Sequence, residues 1–149
     1  MTSVAKPLEN LTYSVIGCAM RVHNALGPGL KEVIYQRAMS VEMEAASLSF
    51  EEERPREIQI DGAAVGLLYI DHLVEGQLVV EEKALSHLMT KDEIAQVITY
   101  LCALDAPVGL LLNFGRRSLE YKRIFPPKDV RRWREQIQRY VWKPKEAIR

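Results

Sequence analysis

Tyr69-Ile70-Asp71-His72-Leu73-Val74-Glu75-Gly76-Gln77-Leu78-Val79-Val80-Glu81-Glu82-Lys83-Ala84 reads as two β-strands around a tight turn. Side chains two apart in a strand share a face, so Glu81 and Lys83 point with Val79, while Val80, Glu82 and Ala84 point the other way. The same alternation groups Asp71 with Tyr69 and Leu73. Whether Asp71 joins Glu81 depends on the turn. A two-residue loop at Glu75-Gly76 sets Asp71 opposite Val80 and puts the two carboxylates on opposite faces. An odd loop, with Gly76 at positive φ or in a bulge, puts them on the same face. Two carboxylates and a lysine converging there suit a divalent cation and a phosphate.

Upstream, Leu11, Val15, Ala19, Val22 and Leu26 recur at helical spacing, and Gly27-Pro28 supplies the left-handed cap and the following proline that end a helix. A second helical pattern follows, with Val33, Ile34, Ala38, Val41 and Ala45 on its apolar side and Glu32 and Tyr35 sharing a face. Arg54-Pro55 reads as a break before a strand over Arg56 to Ile60, and Asp61-Gly62 is a hairpin signal. Downstream, Thr90-Lys91-Asp92-Glu93 fits a capping box opening a helix to Asp105, which stacks Gln96 and Tyr100 one turn apart. Val108 to Asn113 is an apolar run typical of a buried strand, Leu119 to Phe125 alternates as another, and a final helix is expected at about 129–141, with Val130, Trp133, Ile137 and Val141 as its stripe. The order helix, helix, three strands, helix, two strands, helix predicts an α/β fold with a mixed β-sheet flanked by helices.

The chain has 149 residues, enough for one domain with a proper core, and no repeat or low-complexity stretch calls for a second. With 48% hydrophobic and 27% charged residues, it is neither disordered nor fibrous. No apolar run approaches the roughly 20 residues that span a bilayer, and the N-terminus lacks the pattern of a secretory signal. Cys18 and Cys102 fit no C-x-x-C spacing, which points to reduced thiols and a cytoplasmic protein. The net charge of zero hides an asymmetry: residues 116–149 hold 12 Lys/Arg against 4 Asp/Glu, and the acids dominate before them. A basic C-terminal third suits a phosphate-backbone partner, although a solvated helix with ordinary Arg content has the same composition.

An acid-x-Lys tripeptide alone carries little weight, since about one arises by chance in a chain of this size. Glu120-Tyr121-Lys122 is a second copy in this one. What distinguishes Glu81-Glu82-Lys83 is Asp71 on the preceding strand and a helix carrying Gln96 just after. Hard divalent cations such as Mg²⁺ take carboxylate oxygens and retain waters, and a nearby lysine can orient or deprotonate an attacking water. The plain alternative is an exposed Asp facing a Glu/Lys surface pair.

Taken together, Leu26-Gly27-Pro28-Gly29-Leu30-Lys31-Glu32-Val33-Ile34-Tyr35, then Asp71, Glu81-x-Lys83, Gln96 and Gly109-Leu110-Leu111-Leu112-Asn113-Phe114-Gly115, resemble the GxxExxY family, placed in the PD-(D/E)XK nuclease superfamily near its RecB-like branch. The ordered match covers roughly residues 10 to 125. The resemblance implies a restriction-endonuclease-like core that hydrolyses phosphodiester bonds of DNA or RNA with Mg²⁺, or Mn²⁺. Asp71 and Glu81 would be metal-binding acids, joined by Glu32 from the second helix, with the Glu82 carbonyl as a further ligand. Lys83 would be the catalytic lysine, and Gln96 and Tyr100 match the Q-x-x-x-Y motif that lies beside the active site. Two departures stand out. Glu82 occupies a position where the family usually has an apolar residue facing the core, so it must reach solvent or a partner. Gln96 follows Glu93-Ile94-Ala95, where relatives often carry a histidine and a glutamate.

The competing reading is a nucleic-acid-binding or protein-interaction module that keeps the fold without turnover. A homodimer closed by the Trp133/Ile137/Val141 stripe is compatible with either. His23, His72 and His87 make no zinc spacing with the cysteines. Gly27-Pro28-Gly29 lacks the features of a phosphate loop, and Trp133 and Trp142 read as core or a subunit contact more readily than as base-stacking platforms.

Overall fold

The structure is a computed structural model that describes residues 8–128. Two helices, α1 (Glu9–Leu26) and α2 (Glu32–Ala45), precede strands β1 (Phe50–Ile60), β2 (Ala63–Val74) and β3 (Leu78–Lys83). Helix α3 (Lys91–Leu104) then leads to β4 (Val108–Asn113) and β5 (Glu120–Ile124). The expected order holds through β5, and the helix expected at about 129–141 lies outside the described residues.

The strands form one sheet in the order β1-β2-β3-β4-β5. All neighbours are antiparallel except β3 and β4, which run parallel because α3 carries the chain back between them. Alternation in the central strands then assigns the layers. Leu78 and Val80 of β3, with Leu110 and Leu112 of β4, pack under α1 and α2 against Val15, Val22, Tyr35 and Met39. Val79 and Leu111 face the other way, onto Val97, Tyr100 and Leu101 of α3. The result is a mixed α/β sheet flanked by helices on both sides, as expected.

The capping signals act as read, but the apolar side expected of α2 does not: Val33, Ile34, Val41 and Ala45 are exposed, and the helix instead buries Tyr35, Met39 and Met43. Gly27 caps α1 at φ 67 and donates its N–H to the His23 carbonyl. Thr90 and Glu93 form the capping box of α3, where the Glu93 carboxylate accepts the Thr90 N–H at 3.1 Å.

The first strand differs. It begins at Phe50 and runs through Arg54 and Pro55, which pairs with Tyr69, rather than starting at Arg56. β1 lies at the edge of the sheet, where a proline's missing donor breaks no second ladder. Glu53 takes the place of the break: its φ is 46, and pairing continues on both sides of it without a bond to its opposite number, Asp71. β2 is irregular at the same point. Ile70 and Leu73, three apart, both pack on the α3 side, so the alternation slips at Asp71 and Tyr69 no longer shares a face with Leu73.

Candidate active site

The turn after β2 decides the site. Val74 pairs with Leu78, leaving Glu75, Gly76 and Gln77 as a three-residue loop with Glu75 at φ 52 and Gly76 at φ 67. The odd loop is the one that forms. Regular pairing ends at His72↔Val80, and one step further Asp71 stands across from Glu81.

There the side chains replace the ladder. Glu81 accepts the Asp71 N–H on Oε1 at 3.0 Å, and Asp71 accepts the Glu82 N–H on Oδ2 at 3.0 Å. Each carboxylate reaches across the gap to the other strand's backbone. Glu81 is buried and Asp71 half-buried. Burial, then the Asp71 charge, pushes the Glu81 carboxyl well above the ordinary carboxylate range. Two acids held this close in low dielectric carry more negative charge than their donors offset.

Lys83, two residues beyond Glu81 on the same face, donates from Nζ to Gln96 Oε1 at 2.9 Å. Gln96 also acts on the hydroxyl of Tyr100, one turn further along α3. Burial and the charges of Glu81 and Asp71 raise the Tyr100 hydroxyl, so it stays protonated as a donor. Glu32 opens α2 at the rim of the site and is mostly exposed. Partial desolvation still raises its carboxyl, which the Lys83 charge lowers and the Asp71 charge raises further. All six residues singled out from the sequence therefore gather at one end of the sheet.

They do not form a finished metal cage. Among the described residues no three His, Cys, Asp or Glu side chains are placed to hold an ion together. Asp71 and Glu81 are a facing pair, and Glu32 stands at the rim without closing on them. The donors fit a hard divalent cation by chemistry, being carboxylate oxygens with surplus negative charge. A complete ligand set requires Glu32 to turn inward or retained waters to fill the shell.

Several other residues turn out to be structural. Tyr35 is fully buried, stacks on Phe114 at 4.9 Å, donates to the Gly27 carbonyl at 2.5 Å and accepts the Leu30 N–H at 3.1 Å. It pins the turn between α1 and α2, with Gly29 at φ 103 inside that turn, so that α2 begins at Glu32. Gly115 is forced by packing: a Cβ there would collide with the backbone of Ala84 and Leu85, where two loops cross.

Sequence reasoning missed the partner of Glu82. That side chain is fully buried on the α1/α2 side, and its Oε1 lies against His72 Nδ1, likewise fully buried. The contact lacks hydrogen-bond geometry, so neither Glu82 oxygen has a hydrogen-bond partner among the described residues. His72 Nε2 completes the row at 2.7 Å from Ser40 Oγ of α2, and Phe50 meets the ring edge-on. Burial, then Asp71, pushes the Glu82 carboxyl well up, and burial pushes His72 down, so the pair holds one proton between two neutral groups. The signal was in the register, because an odd loop places His72 and Glu82 on one face.

A mixed sheet between helical layers, with an acid pair and a lysine at the end of a central strand, defines a nuclease-like α/β core. The chain belongs to the PD-(D/E)XK nuclease superfamily, whose family model matches residues 9–124. No curated protein is similar enough in sequence to count as a match. Among solved structures, the crystal structure of SSO0001 has the same fold at a TM-score of 0.54 and 20% identity. The match covers 75% of this chain and 59% of that one, so this chain spans little more than half of that structure. Among the described residues no helix is long and apolar enough to cross a membrane.

Proposed function

We propose that this protein is a metal-dependent nuclease of the GxxExxY family, in the RecB-like branch, hydrolysing phosphodiester bonds of DNA or RNA. The observation that carries the reading is the three-residue loop, which sets Asp71 and Glu81 face to face beside Lys83. Membership in a nuclease superfamily supports it independently.

Asp71, Glu81 and Glu32 would hold a divalent cation, Mg²⁺ or Mn²⁺, with the Glu82 carbonyl beside them. When bound, the ion supplies charge neutralisation at the phosphate and a more acidic water. Lys83 would lie within reach of the phosphate and orient the attacking water, and its bond to Gln96 fixes where its Nζ stands. Tyr100 holds Gln96 in turn and presents a protonated hydroxyl to the acids. On this reading residues 1–149 form a single catalytic domain with a basic C-terminal helix. The homodimer expected from the Trp133 stripe would be an addition to it.

The test is cleavage of a panel of single-stranded and duplex DNA and RNA with and without Mg²⁺ or Mn²⁺. Cleavage that requires metal and is lost in a folded Lys83→Ala variant is expected. A folded, metal-loaded protein inert on every substrate would leave the binding-module reading in its place.

A further inference from the structure

Beyond the C-terminal ends of β3 and β4 lies an open groove of about 480 Å³, lined by Pro28, Ser86, Gly115, Arg116, Arg117 and Ser118. Its position follows from the chain. Ser86 comes three residues after Lys83, and Pro28 four residues before Glu32, so the groove abuts the end of the sheet that carries the acids.

Its walls are fixed from several directions. Asn113 Oδ1 accepts the N–H of Leu85 at 2.8 Å and of Gly115 at 3.1 Å, tying the two loops together. Gly115 lets them cross without a side chain between them. His23 Nε2 of α1 lies 2.8 Å from the Arg116 carbonyl and anchors the loop from the other layer. Among the described residues the lining holds two arginines, two serines and no acid, and neither arginine is in an ion pair.

A polyanion approaching Asp71, Glu81 and Glu32 meets repulsion, which must be offset nearby for a strand to settle on the site. We infer that this groove binds the phosphodiester backbone of the nucleic acid beside the bond to be cut, with Arg116 and Arg117 on phosphate oxygens and Ser86 and Ser118 donating to them. Such contacts hold the strand without reading its sequence. The inference rests on the nuclease reading of the acid site.

It is tested in the full-length Lys83→Ala background, where bound strands stay intact. Fluorescence anisotropy follows a short labelled oligonucleotide, as DNA strand, DNA duplex and RNA strand, across a salt series. Arg116→Ala/Arg117→Ala is expected to weaken binding about tenfold or more and to flatten the slope of log affinity against log salt by about 1 to 2. Arg116→Lys/Arg117→Lys should keep most of the slope. The exposed Arg117→Ala alone serves should the double variant fold poorly. Unchanged affinity and slope in a folded variant overturn the groove, as does a parent that binds none of the three probes. Arginine-dependent binding by a protein that never cleaves would sustain the groove and sink the nuclease reading. Cleavage with arginine-independent binding would do the reverse.

Discussion

Two tripeptides share a pattern in this chain, Glu81-Glu82-Lys83 on β3 and Glu120-Tyr121-Lys122 on β5, and their surroundings make them opposites. Glu120 stands across from Asn113, accepts its amide at 3.1 Å, and takes the Met89 N–H at 3.1 Å on both oxygens. Its carboxylate closes the loop before α3, and Lys122 projects into solvent. Glu81 stands across from another carboxylate, and Lys83 turns inward to Gln96. An acid opposite donors is a structural brace, whereas an acid opposite an acid stores repulsion that only a proton or a cation relieves. What faces the motif across the sheet, more than the motif, separates chemistry from architecture.

Substitution should widen that contrast. Lys83→Ala is expected to lower the cleavage rate by roughly 10²- to 10⁴-fold with an unchanged far-ultraviolet dichroism spectrum, while Lys122→Ala leaves the rate alone. Equal losses in initial-rate assays would erase the distinction.

A cation should stabilise the protein through one copy only. Divalent metal at about a hundred times its dissociation constant is expected to add about 2.7 kcal/mol to unfolding stability. Thermal melts should show the gain in wild type and Glu120→Gln and its loss in Asp71→Asn. A gain that survives Asp71→Asn would place the ion elsewhere.

The third test concerns Glu82. Folded, the buried Glu82–His72 pair keeps one proton. Unfolded, Glu82 is ionised above about 4.5 and His72 gives up its proton above about 6.5, so above that pH the folded state binds more protons than the unfolded one. The pair should therefore lower the stability of the metal-free protein as pH rises from 6.5, by up to about 1.4 kcal/mol per pH unit, and the raised Glu81 carboxyl adds to the same fall. Glu82→Gln should remove the pair's share of that fall in urea unfolding measured with chelator present, leaving the share of Glu81. A wild type whose stability is level from pH 6.5 to 8.5 would contradict the assignment.

The smallest effect belongs to the brace. Glu120→Ala leaves the Met89 N–H without its acceptor and the Asn113 amide with only the His87 carbonyl, and should cost about 1–3 kcal/mol, with the metal-induced gain intact. A lost metal response there would mean that the two copies are coupled.

Much of this was legible in the residues. Helix ends at Gly27 and Thr90, and the layer each β3 side chain faces, follow from capping and alternation. The register at Gly76 was not, because two- and three-residue loops suit Glu75-Gly76 equally well, and only packing of Leu73 and Val74 on opposite sides selects one. Pro55 argued for a break because its tolerance depends on lying at an edge, which the sequence does not state. Glu82 called for a partner without naming it, since His72 meets it only once the loop is odd. The gathering of Glu32 with the acids came from family resemblance, because helix and hairpin are too far apart in sequence for any local rule to join them.

The edge strand has one more consequence. Among the described residues β1 pairs on one side only, with β2, and such an edge invites other chains to add to the sheet. Along it, Pro55 withholds a donor, the left-handed turn at Glu53 breaks the line, and exposed Glu52 adds a charge, Glu51 being paired with Arg54. A second copy trying to dock strand to strand meets a gap, a bend and a charged side chain in succession. The same irregularity that loosens Asp71 from its ladder also guards the protein against fibrillar aggregation.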